Sequence, residues 1–280
     1  MGAPLLSVRG VSKSFGEVQA LREVTLDFDR GDIVGLVGSN GAGKTTLLRL
    51  LCGLYSPTIG DVVHHSKGGV EQPVHTVRNN LGVVPEATGL YQRLTAWENI
   101  RYHSRINGIP DDKAWNRTVR LARALDIEDS LQRPTRGFSR GMRQKTALLR
   151  ALSHDPEVLL LDEPTAGLDV TSARMVRQLV DKLRQDGRSV IYSTHNLAEC
   201  QQVCDRIIII HNGTIRADGS PQSLMEQTNQ DSLEEAYVQL TLDASREIET
   251  PESVGWFQRT WAGITTSATP PSGEEGELNE

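Results

Sequence analysis

Cysteine, aromatic residues, surplus basic charge and long apolar runs are all scarce in this 280-residue chain, and each shortage excludes something. The three cysteines, Cys52, Cys200 and Cys204, show none of the paired spacings of a zinc site, so they are expected as reduced thiols that fill space in the core. The longest apolar stretches, Val158 to Leu161 and Ile207 to Ile210, fall far short of the ~18 residues that span a bilayer, so no transmembrane helix is expected. The opening MGAPLLSVRG lacks a cationic region followed by an apolar stretch, which argues against a secretory leader and for the cytoplasm. Net charge is −6, and all of it resides in residues 241–280, where eight carboxylates face two arginines. Residues 1–240 are therefore balanced and carry no basic stripe, which argues against a dedicated nucleic-acid binder.

What the chain does have is a definite order of strand and helix patterns. Its first 37 residues read as short strands with alternating Val, Leu and Phe, broken at Gly16 and at Arg30-Gly31-Asp32. The last of them, Ile33 to Val37, is continuously apolar and runs into a glycine-rich stretch and an amphipathic helix, the opening of a parallel α/β sheet. Residues 64–80 are polar and are expected as a loop or weak hairpin, with His64, His65 and His75 solvated rather than metal-bound. From Leu90 to Leu152 the pattern turns helical. Thr95-Ala96-Trp97-Glu98 is a capping box that opens a helix to about Asn107, and further helices are expected from about Asp112 to Leu125 and from about Gly141 to Leu152. The α/β order then resumes with a strand Val158 to Leu161, a helix from about Thr171 to Gln185, a strand Ser189 to Ser193, and a hairpin turning at Asn212-Gly213. Beyond about Leu242 the composition is too polar to order itself, although Trp256, Phe257 and Trp261 are apolar for a linker.

Three constellations carry chemistry. Gly38-Ser39-Asn40-Gly41-Ala42-Gly43-Lys44-Thr45 matches GxxxxGK[ST] between a buried strand and a helix, where phosphate binding needs it. Its glycines let backbone N–H groups converge on phosphate oxygens, the helix start adds partial positive charge, Lys44 reaches the β- and γ-phosphates, and the Thr45 hydroxyl holds Mg²⁺. Asp162 and Glu163 close the apolar run before them, at the strand end where ligands bind in parallel sheets. Asp162 is expected to anchor Mg²⁺, and Glu163 to orient or deprotonate an attacking water. Phe138-Ser139-Arg140-Gly141 precedes a helix and offers a second anion cradle through Ser139 and the amides near Gly141. Alone it is an ordinary helix cap, and it gains meaning only beside the other two.

The succession GSNGAGKTT, FSRGMRQ, LLLLDEPTAGLD and IYSTH resembles the ATP-binding subunit of an ABC transporter over about residues 4–240. That resemblance implies an α/β fold: a P-loop NTPase core with an N-terminal antiparallel β subdomain and an inserted α-helical signature subdomain at about 87–155. The cassette of 1–240 would be followed by an acidic, partly disordered tail of 241–280. The resemblance also implies roles. Phe15 stacks on adenine, the loop from Gly38 to Thr46 holds the phosphates, and Glu86 occupies the position that senses the γ-phosphate and joins the Mg²⁺ site. Ser139 and Gly141 form the signature, and Asp169 and His195 are the D-loop and switch positions, with His195 meeting the γ-phosphate. Sites in the family are composite, the glycine loop of one copy and the signature of another enclosing ATP. The implied partners are thus a second copy of the cassette and separate transmembrane permease subunits, with this chain peripheral on the cytoplasmic face of the membrane and no nucleic acid involved.

Two departures from the family pattern stand out: Glu86 replaces the usual Gln of the sensing loop, and Arg140 and Met142 replace the first Gly and the Gln of the usual LSGGQ. Together with ATGLYQRLTAWENIRY and SLEEAYVQLT, they resemble an exporter branch that includes sodium-extrusion and drug or antibiotic efflux ATPases. A soluble ABC-type ATPase acting on nucleic acid or ribosomes is the alternative. Against it stand the balanced charge, the single cassette, and the mere 95 positions separating Lys44 from Ser139, too few for a long coiled coil. A nucleotide-binding module without hydrolysis is disfavoured by Glu163.

Overall fold

Alternating burial along residues 6–28 and unbroken burial along residues 33–37 produce two different sheets in the computed structural model, which describes residues 4–246. In chain order the strands are β1 (Leu6–Phe15), β2 (Val18–Phe28), β3 (Ile33–Val37), β4 (Ile59–His65), β5 (Glu71–Pro73), β6 (Leu81–Val84), β7 (Val158–Asp162), β8 (Ser189–Thr194), β9 (Arg206–His211) and β10 (Thr214–Gly219). The helices are α1 (Lys44–Leu51), α2 (Ala96–Ile106), α3 (Asp111–Ala124), α4 (Arg140–Leu152), α5 (Val170–Gln185), α6 (Leu197–Val203), α7 (Pro221–Thr228) and α8 (Leu233–Arg246). The first sheet is antiparallel, in the order β2-β1-β4-β5. The second runs β10-β9-β3-β8-β7-β6 and is parallel from β9 to β6, with β10 added antiparallel at the edge.

Strand side chains alternate faces, so a doubly covered sheet feeds two cores. Ile33, Val37, Leu159, Leu161, Val190 and Tyr192 enter one core with α4, α5 and α6. Val34, Leu36, Val158, Leu160 and Ile191 enter the other with α1 and the antiparallel sheet. Helices α2, α3 and α4 lie between β6 and β7 in the chain, where the capping box is realised in full: Thr95 Oγ1 accepts from Glu98 N at 3.1 Å, and Glu98 Oε2 accepts from Thr95 N at 2.7 Å. Residues 4–240 form one unit, and of a second unit beginning at Thr241 the described part is the end of α8. Trp256, Phe257 and Trp261 lie outside the described residues.

The expectation of solvated histidines in a polar loop is overturned for two of the three. His64 and His65 end strand β4 and are buried, 1% and 5% exposed. His64 Nε2 lies 3.2 Å from Glu157 Oε2, and Glu157 also pairs with Arg30, so the histidine ties the antiparallel sheet to the start of β7. His65 Nε2 is 2.9 Å from Ser7 Oγ on the neighbouring strand. The polar composition of this segment misleads because each imidazole finds one polar partner through Nε2, Glu157 for His64 and Ser7 for His65. His64→Ala should therefore lower unfolding free energy by about 1–3 kcal/mol in urea titration, whereas a solvated histidine would cost under about 0.5 kcal/mol.

Candidate functional site

The parallel strands β3, β7 and β8 end together, and their C-terminal ends open on a cavity of about 450 Å³. Its lining comprises Ser39, Asn40, Gly41, Gly43, Lys44, Thr45 and Thr46 from the glycine loop, with Ala20, Glu86, Glu163, Ala166 and His195 around them. Gly43 has φ +116°, and a β-carbon there would lie 2.9 Å from the carbonyl of Ala20, so only glycine fits at this bend into α1. Gly38 and Ala42 are buried behind the loop and complete its turn without lining the cavity.

Charges at this edge hold one another. Lys44 is 6% exposed and donates to the carbonyls of Gly38 at 2.7 Å and Ser39 at 3.3 Å, with Glu163 Oε1 3.5 Å away. Asp162, also buried, accepts from Ser193 Oγ at 2.8 Å and from Thr45 Oγ1 at 3.3 Å. Glu163 leaves the strand with φ +48°, a left-handed conformation costly for a residue with a side chain, and its N–H donates to the carbonyl of Ser193 at 3.1 Å. This turn aims the carboxylate back at the glycine loop, where its second oxygen meets His195 Nδ1 at 2.9 Å. The following segment is braced from behind, since Thr165 Oγ1 donates to the buried Glu199 carboxylate at 2.6 Å.

Other expected site residues stand elsewhere. Phe15 is exposed, edge-on to Tyr55 at 5.3 Å, and is not among the residues lining the cavity. Ser139 caps α4 by accepting from Met142 N at 3.2 Å, and Asp169 caps α5 by accepting from Ser172 N at 2.9 Å. That amide hydrogen bond holds the Asp169 carboxyl below the usual carboxylate range. A β-carbon on Gly141 would meet Ser172 Oγ at 2.8 Å, so the two caps adjoin each other, apart from the glycine-loop cavity. Sequence reasoning assigned no part to Ser193, whose hydroxyl fixes Asp162, or to Asn99. Buried on α2, Asn99 accepts from Tyr91 N at 2.8 Å and donates to the Tyr91 carbonyl at 3.1 Å, holding the loop that follows Glu86.

The family pattern described as ABC transporter matches residues 21–166. The ABC transporter ATP-binding protein NatA of Bacillus subtilis (strain 168) is 39% identical over 217 residues, which is 77% of this chain and 88% of that protein. The chain belongs to the ABC transporter family. It is an ATPase subunit of that family, and solved cassettes share its fold. The structure of an ATP-binding subunit of an ABC transporter superposes with TM-score 0.77 at 31% identity, covering 84% of this chain and 99% of that one. A dimeric ATP-binding cassette in a post-hydrolysis state with ADP and Pi superposes with TM-score 0.70 at 25% identity, covering 77% and 98%. In this ATP-binding subunit, then, the glycine-loop cavity is the candidate site for the phosphates. Lys44→Ala removes a full charge from it and should weaken ATP binding roughly ten- to a hundredfold, from a charge-assisted contact worth about 1.5–3 kcal/mol. Equal affinity of wild type and variant in calorimetric titration would contradict that placement.

Proposed function

We propose that two copies of this cassette close on MgATP and that hydrolysis resets them, driving export through separate membrane subunits. The observation that carries the reading is the separation of two anion cradles on one chain. The glycine loop lines the cavity, whereas Ser139 and Gly141 lie at another helix start, exposed at Ser139. A second copy brings its own Ser139 and Gly141 to complete the phosphate cage.

Within each site Lys44 faces the β- and γ-phosphates, and its charge offsets what develops on the transferred phosphoryl group. Thr45 Oγ1 and the Asp162 carboxylate stand 3.3 Å apart beside the loop, an all-oxygen pair suited to a hard cation. They would hold Mg²⁺, with Glu86 reaching the same region, and Mg²⁺ would supply charge neutralisation on the phosphate oxygens. Glu163 orients the attacking water and accepts its proton, and His195, hydrogen-bonded to that carboxylate, fixes its direction and contacts the γ-phosphate.

No helix among the described residues is long and apolar enough to cross a membrane, and the reading assigns the transport path to separate permease subunits. Their docking surface is the loop after Glu86 together with α2, about residues 86–107. Tyr91 and Tyr102 stack edge to face at 5.7 Å and are 55% and 52% exposed, next to Ile106 at 65%. Trp97 instead turns inward onto Trp115 at 4.8 Å and serves the helical core. The exporter assignment rests on Glu86, Arg140 and Met142 with the flanking segments quoted above, and it places the chain at the cytoplasmic membrane face. Sodium and drugs are the cargo classes that this likeness suggests. Cassette residues 1–240 hold every phosphate-handling group, so residues 241–280 are an appendage to this chemistry.

Glu163→Gln should keep nucleotide binding and lose nearly all turnover, because the water loses its proton acceptor while Lys44, Thr45 and Asp162 remain. Size-exclusion chromatography with MgATP should then show a stable dimer. A variant that stays monomeric and hydrolyses ATP at the wild-type rate would overturn the proposal.

A further inference from the structure

Arg140 follows the cap of α4, is exposed, and makes no ion pair with any described residue. Its guanidinium nevertheless has a built seat. A β-carbon added to Gly167 would lie 2.5 Å from Nη1 and 2.6 Å from Cζ of Arg140, so the arginine rests on the bare backbone of that glycine. Gly167 has φ +65°, which strains any side chain there, and the atoms over it are the flexible end of the exposed Arg140 side chain. The turn that begins at Glu163 thus carries the place where Arg140 sits.

A second cavity, about 380 Å³, is lined in part by Glu86, Thr135, Arg140, Arg143 and Gln144. Glu86 lines both this cavity and the nucleotide cavity, and no other lining residue is common to the two. Two arginines and a single carboxylate are among the residues that line the second cavity. Gln144 is 6% exposed and its Nε2 has no hydrogen-bond partner, and Arg143 spends one donor on the carbonyl of Phe138. The Glu86 carboxylate is the cavity's single negative group, and it too makes no ion pair with a described residue. The two departures from the family pattern, an acid at the sensing loop and an arginine in the signature, therefore face one space with opposite charges.

We propose that Arg140, seated on Gly167, is a positioning residue that acts through Glu86: it neutralises that carboxylate from the second cavity and so reduces its repulsion of the phosphates in the first. An amide at position 86 would need no such partner. A carboxylate beside a nucleotide carrying several negative charges does, and a guanidinium across a solvated cavity offsets it by a few-fold in affinity.

The inference rests on the glycine-loop cavity being the ATP site, and the test separates the two. Binding of a fluorescent ATP analogue is measured in EDTA, without metal or turnover, for the full chain. Arg140→Met should weaken binding about threefold when Glu86 is present and by less than about 1.5-fold in the Glu86→Gln background. Arg140→Lys, which keeps the charge, should stay near wild type, and Arg143→Met should shift binding less than Arg140→Met does. Unchanged thermal unfolding midpoints would exclude a merely structural effect. Equal weakening by Arg140→Met in both backgrounds would overturn the proposal, since Arg140 would then act on the nucleotide without Glu86. Absence of analogue binding by the unaltered chain would overturn the ATP-site reading as well.

Discussion

Parallel pairing of β3, β7 and β8 in one register is the constraint on which the site depends. Asp162 pairs with Ser193, and Ser193 pairs with Leu36, so the last acid of β7, the hydroxyl that holds it, and the strand leading into the glycine loop share a row. A slip of one residue would turn Asp162 to the opposite face and bury the wrong side chains, so the two cores enforce the alignment. The hydrophobic packing of Ile33, Leu159, Leu161 and Tyr192 on one face and Leu36, Leu160 and Ile191 on the other thus fixes the position of a carboxylate that touches neither core's purpose.

The polar edge created in this way is costly by itself. Lys44 and Asp162 are buried, and Glu163 adopts a left-handed backbone that costs on the order of 1–3 kcal/mol. Each cost has a local counterpart: loop carbonyls for the ammonium, hydroxyls of Ser193 and Thr45 for Asp162, and the Ser193 carbonyl for the Glu163 amide. Buried charge that is fully hydrogen-bonded is rigid, and rigidity is what electrostatic stabilisation of a transferring phosphoryl group requires. The second cavity differs: there the buried Gln144 Nε2 has no hydrogen-bond partner, and Glu86 is the one carboxylate in the lining.

Much of this was legible from local pattern. The strand, glycine loop and helix of residues 33–51, the capping box at Thr95 and the Asn212-Gly213 hairpin appear where periodicity and turn chemistry place them, because each is decided by neighbours in the chain. Contacts decided by distant residues were not. His64 reads as a solvated loop histidine until β4 is seen between β1 and β5, with Glu157 waiting 93 positions away. Ser193 looks like one more strand residue, and only the pairing of β7 with β8 reveals its hydrogen bond to Asp162. Arg140 could be recognised as unusual in the signature, but its seat on Gly167 and its shared cavity with Glu86 depend on three segments meeting. Phe15, placed on adenine by resemblance, presents an exposed ring beside Tyr55, as a stacking residue would.

In the proposed function, strand register brings the Lys44 ammonium to the phosphates and the Thr45 hydroxyl and Asp162 carboxylate to their metal. A crystal structure of this chain with Mg²⁺ and a non-hydrolysable ATP analogue tests it most directly. The account predicts the γ-phosphate against Lys44, the metal on the Thr45 hydroxyl and adjoining Asp162, and Ser139 of a second copy closing the site. Phosphates bound away from the glycine loop, or a metal ligated by neither Thr45 nor Asp162 and its waters, would contradict it.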